Sequence, residues 1–265
     1  TTALVAHNIG AGNRKMANHI MWQSLLGGIL LAVVLAVGGM LGARRMLELM
    51  MILMDEVDPF VLAEGTVYLR IVLASMVAAL PMMVINAVLQ GLGDMKTPLY
   101  IMVIANIVNV LFNYLLIFGI WIFPELGVRG AAWGTALARL AGAGIGLYVL
   151  LRGTADIRLH LVHVSWKLDF SVLRGVLKIG IPAAFEQLIR QSSMILYTAL
   201  VASLGTVTLA ANAITMNINS LSFMPGFGFG MAATTLVGQS LGAGRKDLAR
   251  AYGRQTTVIT FVLLA

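Results

Sequence analysis

From Gln191 to Gly244 the chain carries no charged side chain. That run is too long for one membrane crossing, because a bilayer core of about 30 Å takes about 20 apolar residues per helix. Its natural turn is Leu204-Gly205-Thr206, which divides it into two spans. A water-facing domain has nowhere to hide such a stretch. Only 11% of the 265 residues are charged and 59% are hydrophobic, against roughly 25% charged in soluble domains. An all-α polytopic membrane protein follows. With no cysteine there is no disulfide framework, thiol catalysis or Cys-ligated metal. The net charge of +7 sits in short loops between apolar runs, which argues against a nucleic-acid partner. No signal-peptide pattern is visible. Thr1 lies in a helical pattern and Ala265 in an apolar run, so the chain is expected to be part of a longer protein.

Six spans are predicted: Ser24–Ala43, Ile71–Gly93, Thr97–Pro124, Val128–Leu151, Lys178–Leu204 and Val207–Leu241, the last broken near Pro225-Gly226. They lie between two similar stretches, T-A-L-V-A-H-N-I-G-A-G-N-R-K at 2–15 and T-T-L-V-G-Q-S-L-G-A-G-R-K-D at 234–247. The shift that lays Leu4 on Leu236 also lays Val5 on Val237 and Gly10-Ala11-Gly12 on Gly242-Ala243-Gly244. An even number of spans puts both copies on one side of the membrane with one polarity, so the repeat is parallel. The glycine turns, Gly10 and Gly12 in one copy and Gly242 and Gly244 in the other, are expected to be structural.

The loops around 10–20, 94–96, 152–178 and 242–254 hold Arg14, Lys15, Lys96, Arg152, Arg158, Lys167, Arg174, Lys178, Arg245, Lys246, Arg250 and Arg254. The opposite loops hold Arg44, Arg45, Arg70 and Arg129, together with Glu48, Asp55, Glu56, Asp58, Glu64 and Glu125. The excess of Lys and Arg places the first set in the cytoplasm. The expected organisation is a first half over 1–152, a cytoplasmic linker over 153–175 and a second half over 176–265. The linker's alternating pattern suits the membrane surface, with His160 and His163 as solvated loop residues.

An ionisable side chain inside a membrane is costly and marks function by default. Arg139, Glu186 and Arg190 qualify. Glu186 and Arg190 are four apart and share a helix face. They are either a structural ion pair satisfied between helices, or a titratable carboxylate in a cavity balanced by Arg190 or by a bound cation such as Na⁺. A nearby guanidinium favours the charged form of a carboxylate, so if Glu186 is a coupling site, Arg190 must move away or find another partner during the cycle. Asn106, Asn109 and Asn113 form one stripe on the third span, and Asn212, Thr215 and Asn219 another on the sixth. Gln187, Gln191, Tyr197 and Thr198 add polar groups on the fifth. These amides either bond between helices or line a shared hydrated cavity. Gly142, Gly144 and Gly146 allow close helix packing. No enzymatic motif and no Walker lysine loop is present, so the chain is expected to be neither an enzyme nor an ATP-driven pump, and to need no cofactor.

Several stretches taken together, Q-G-L-G-D-M-K-T-P (90–98), N-V-L-F-N-Y-L-L-I-F-G (109–119), G-V-R-G-A-A-W-G-T-A-L-A-R (127–139), L-G-T-V-T-L-A-A-N-A-I (204–214) and F-M-P-G-F-G-F-G-M-A-A-T-T-L-V-G-Q-S-L-G-A-G (223–244), resemble the multidrug and toxic compound extrusion (MATE) transporters. The resemblance implies two six-helix lobes, of which this chain holds the end of helix 2 to the start of helix 9. It implies a monomeric, multi-pass protein of the prokaryotic cell membrane, a secondary antiporter exporting cationic amphipathic compounds in exchange for Na⁺ or H⁺ by alternating access. By motif, Asn109 and Thr135 match cation-coupling positions of some branches, and Asn113 stands where those branches carry Asp, so the site cannot titrate there. Glu186 takes the place of the carboxylate other branches use on helix 7. The alternatives are a lipid-linked precursor flippase of similar fold, which needs many cavity cations, and a non-transporting membrane scaffold.

Overall fold

The computed structural model describes residues 1–52, 58–153 and 168–264. Asp55, Glu56, Arg158, His160, His163 and Lys167 lie outside the described residues, and with them most of the expected linker. Among the described residues there is no strand, and the helices are α1 (Thr2–Gly10), α2 (Arg14–Ile52), α3 (Pro59–Ala74), α4 (Met76–Gly91), α5 (Lys96–Phe118), α6 (Gly127–Arg152), α7 (Phe170–Ser203), α8 (Thr206–Gly242) and α9 (Lys246–Leu264). Five helical stretches are long and apolar enough to cross a membrane: α2, α3 with α4, α5, α6 and α8. α7 has 34 residues but carries Arg174, Lys178, Glu186 and Arg190.

The helices do not end where the apolar runs that announce them end, because local caps set several of their ends. Asp58 accepts from the Phe60 N–H at 2.8 Å with Pro59 in the first turn, so the second span starts at Pro59 rather than Ile71 and takes in Glu64 and Arg70. Asp94 accepts from the Thr97 N–H at 2.9 Å ahead of α5. Asp169 accepts from the Ser171 N–H at 2.9 Å, so α7 begins at Phe170 instead of Lys178. At the other end of α5, Gly119 adopts φ 64° as a left-handed cap, and the third span stops there rather than at Pro124. The expected break in α8 is absent: the helix continues through Pro225, as helices in membranes can when neighbouring groups absorb the missing bond.

The chain forms two compact units. The first holds Asn18–Gln90 and Asp94–Leu168, and the second holds Thr2–Ala17, Gly91–Gly93 and Asp169–Ala265. In the first, α5 and α6 run antiparallel along a stripe of small residues at every fourth position: Gly130, Gly134, Ala138, Gly142 and Gly146, all buried. A side chain at Gly130 would strike the Leu116 backbone oxygen at 2.5 Å. One at Gly142 would meet the Met82 sulfur at 2.7 Å, and one at Gly146 would meet Ile85 at 2.9 Å. Gly144, expected to share that role, has nothing within 4 Å; two residues from the stripe, it points elsewhere. Without a hydrophobic force between helices in lipid, such stripes supply the close van der Waals contact that holds them. Arg129 grips Glu64 with two bonds, at 2.8 and 2.7 Å, and so ties α6 to α3.

In the second unit α1 packs on α8, and α8 on α9. The α1–α8 contact joins the two copies of the sequence repeat. Gly10 lies against the backbone of Gln239, and Gly242 lies against the backbone of His7. The register of the repeat carries His7 onto Gln239 and Gly10 onto Gly242, so the contact is reciprocal. The two helices run in the same direction with their turns at one end, which is the parallel duplication. The turns match bond for bond: Ala11 N–H to His7 O and Ala243 N–H to Gln239 O are both 2.9 Å, with Gly12 at φ 70° and Gly244 at φ 73°.

Replacing Gly130 by Ala in the full gene product is expected to destabilise the α5–α6 pair by about 1–3 kcal/mol, since the obstacle is backbone that cannot step aside. Gly144→Ala is expected to be neutral or to gain up to about 1 kcal/mol from helix propensity. Thermal unfolding in detergent of both variants checks the contrast.

Candidate functional site

Each unit carries one polar cluster within its spanning helices. In the first, the stripe on α5 meets α6. The Asn113 amide donates to Asn109 Oδ1 at 3.2 Å, Asn109 donates to Thr135 Oγ1 at 3.5 Å, and the Thr135 hydroxyl donates to the Ala131 carbonyl at 3.0 Å. All three side chains are half-buried. The Asn113 Oδ1 atom is fully covered and finds no hydrogen-bond partner among the described residues. It lies where a side chain on Gly134 would stand; the missing Cβ makes its space. A covered, unpaired carbonyl oxygen normally costs about 1–3 kcal/mol. Asn106 sits on the exposed face of α5 and does not join the relay. No carboxylate enters this cluster, so it changes no charge between acid and neutral pH.

Arg139, one turn beyond Thr135 on α6, donates to Ser75 Oγ at 2.6 Å and to the Val72 carbonyl at 3.3 Å. Ser75 sits at the interruption between α3 and α4, where its own hydroxyl also donates to Val72 O at 2.7 Å. The guanidinium therefore stitches the broken span to α6. Sequence reading marked Arg139 without finding this partner.

In the second unit, Arg190 donates to Glu186 Oε1 at 2.7 Å, the pair expected from their spacing. The two side chains remain 63% and 70% exposed, so the pair is not packed between helices of this unit. Gln187 and Gln191 lie on the same exposed helix. Asn212 on α8 accepts from the Tyr197 hydroxyl of α7 at 2.9 Å, which links the two helices. Thr215 bonds back to its own helix, at the Ala211 carbonyl. Among the described residues no three His, Cys, Asp or Glu side chains come together.

Gly134 is the site residue that sequence reading missed. Its signal was present as the four-residue spacing of Gly130, Gly134, Ala138, Gly142 and Gly146, which sorts face from face on a helix.

A family model described as MatE matches residues 1–115 and 182–265. A probable multidrug resistance protein NorM of Thermotoga maritima is 32% identical over 262 residues, covering 98% of this chain and 54% of its own length. A multidrug resistance protein MdtK of Pectobacterium atrosepticum is 31% identical over 268 residues, covering all of this chain and 56% of its own. Among solved structures, an outward-facing multidrug resistance MATE family transporter of the MOP superfamily superposes with a TM-score of 0.88 at 20% identity, over 99% of this chain and 56% of that one. A MOP superfamily transporter from Pyrococcus furiosus described by the reverse polarity of its binding pocket superposes at 0.87 and 20% identity, with the same coverage. The chain thus spans about half the length of the relatives it matches.

Gly134→Ala is expected to push the Asn113 amide out of its seat and break the relay to Asn109, at a cost of about 1–3 kcal/mol. Asn113→Ala, which removes the obstructed group, is expected to restore much of that loss in the double variant. A double-mutant cycle read by thermal unfolding measures the coupling.

Proposed function

Because the chain belongs to the MatE family, we propose that it is part of a plasma-membrane antiporter that exports cationic amphipathic compounds in exchange for Na⁺ or H⁺. Transport proceeds by alternating access, and the chain performs no covalent chemistry. The observation that carries this reading is Glu186, the carboxylate of α7 with Arg190 as its ion-pair partner, because an ionisable side chain inside a membrane is costly and marks function by default. A carboxylate that exchanges Arg190 for a coupling ion or an organic cation makes the two compete. Competition of this kind is what couples their movements, provided that each binds the two conformations unequally.

The Asn109–Asn113–Thr135 cluster supplies a second, neutral set of oxygens that suits a partly dehydrated Na⁺ or the polar end of a substrate. Having no acid of its own, it contributes no proton coupling. Gln187, Gln191 and Asn212 are assigned to the polar lining around Glu186. The flippase alternative draws no support from the cations. Arg139 donates to Ser75 and Val72 and Arg190 faces Glu186, and a pyrophosphate needs many cavity cations.

Glu186→Gln in the full gene product is expected to abolish ion-driven efflux of ethidium from reconstituted vesicles while leaving insertion and thermal stability intact. Running the assay with a Na⁺ gradient and a H⁺ gradient separately identifies the coupling ion. Efflux at the parent rate in the variant would exclude Glu186 as the coupling group.

A further inference from the structure

The contact between α1 and α8 has the marks of a joint built to open. Ala6, Gly10, Gly238 and Gly242 lie in it. Gly10 meets the Gln239 backbone, Gly242 meets the His7 backbone, and a Cβ on Gly238 would stand 2.9 Å from that of Ala6. A third element closes over it. The Gln239 side chain donates to the Gly91 carbonyl at 3.2 Å, 148 positions away, while a side chain on Gly91 would strike Thr2 O at 2.8 Å and Val5 at 2.9 Å. Gly93, at φ 90°, turns the chain beneath that bond. The Q-G-L-G-D stretch is thereby accounted for: its first glycine admits α1 and its second makes the turn. Ala6 is completely buried in the seam, and Arg14, Lys15, Arg245 and Lys246 follow the two turns on the cytoplasmic side.

Close backbone contact of this kind holds by van der Waals packing, to which interhelical hydrogen bonds add, and no ionised group has to be unpaired where the backbones meet at Gly10 and Gly242. The one long polar side chain described here, Gln239, supplies the directional contact. Its counterpart in the first copy, His7, stands exposed, so the repeat is symmetric in its backbone and asymmetric in its fastening.

Building on the transporter reading, we propose that α1, α8 and the Gly91–Gly93 turn form a latch that closes the transport path on the cytoplasmic side. Gln239 is its positioning residue, and its bond to Gly91 breaks each time the path opens inward. The latch touches neither ion nor substrate; it sets how long the closed state persists.

The test uses the full gene product in vesicles, with any cysteine outside these residues replaced by serine, since this chain has none. Ala6→Cys alone is labelled from the cytoplasmic face with a membrane-impermeant maleimide. Labelling is expected to rise about threefold when Gln239→Ala is added, the shift given by loss of one membrane hydrogen bond of average strength. Gln239→His, which keeps an N–H donor, is expected to return it toward the parent rate. Equal labelling with and without Gln239→Ala overturns the latch. In the second arm, Ala6→Cys with Gly238→Cys is oxidised across the seam. Ethidium efflux is expected to stop and to recover on reduction, and undiminished efflux from the cross-linked protein overturns the latch as well. The labelling arm needs no transport, so a parent protein that moves no ethidium defeats the transporter reading while the latch is still judged. Should Gly238→Cys prevent insertion, the single-cysteine arm decides alone.

Discussion

Glycine where α5 meets α6 and where α1 meets α8 is the constraint from which this structure is assembled. Lipid offers no hydrophobic gain for bringing one apolar helix against another, so association depends on how near the backbones can come. On α6 the stripe from Gly130 to Gly146 brings α5 within reach of its backbone along four turns. The same stripe decides where the polar groups go. Gly134 lets the Asn113 amide enter the helix interface, and the relay through Asn109 to Thr135 follows from that one missing methyl. Packing and chemistry are here one arrangement, because the residue that admits the neighbouring helix also admits its amide.

The all-helical membrane architecture and the direction of the repeat were legible in the sequence because both are carried by one-dimensional patterns, the spacing of apolar runs and the identity of two short stretches. Helix ends were less legible. Asp58, Asp94 and Asp169 act as caps through side-chain bonds to the next residues, and a hydropathy reading registers them only as charges that end a span. Pro225 misled in the opposite sense, since a proline is a strong local signal and the helix around it is settled by its neighbours. The site divides along the same line. Glu186 with Arg190 follows from a spacing of four, whereas Asn109 with Thr135 and Arg139 with Ser75 join residues on different helices, and no periodicity within one helix contains them.

Each intramembrane charge is met by a partner within its own unit. Arg139 is used up at the interruption between α3 and α4, so its positive charge serves architecture. Arg190 is set against the only carboxylate of α7. The Asn109–Asn113–Thr135 relay adds polar groups to the first unit without adding charge.

The reciprocal seam between α1 and α8 also limits how the two copies of the repeat can drift apart. A methyl gained at Gly10 lands on the backbone of the other copy, and one gained at Gly242 lands on the backbone of the first. Ala6 and Gly238, which meet each other, have room for one Cβ between them and not two. Of the Gly-Ala-Gly spelled in both copies, the first glycine is held by the other copy's backbone and the second by the left-handed turn it makes, at φ 70° and 73°.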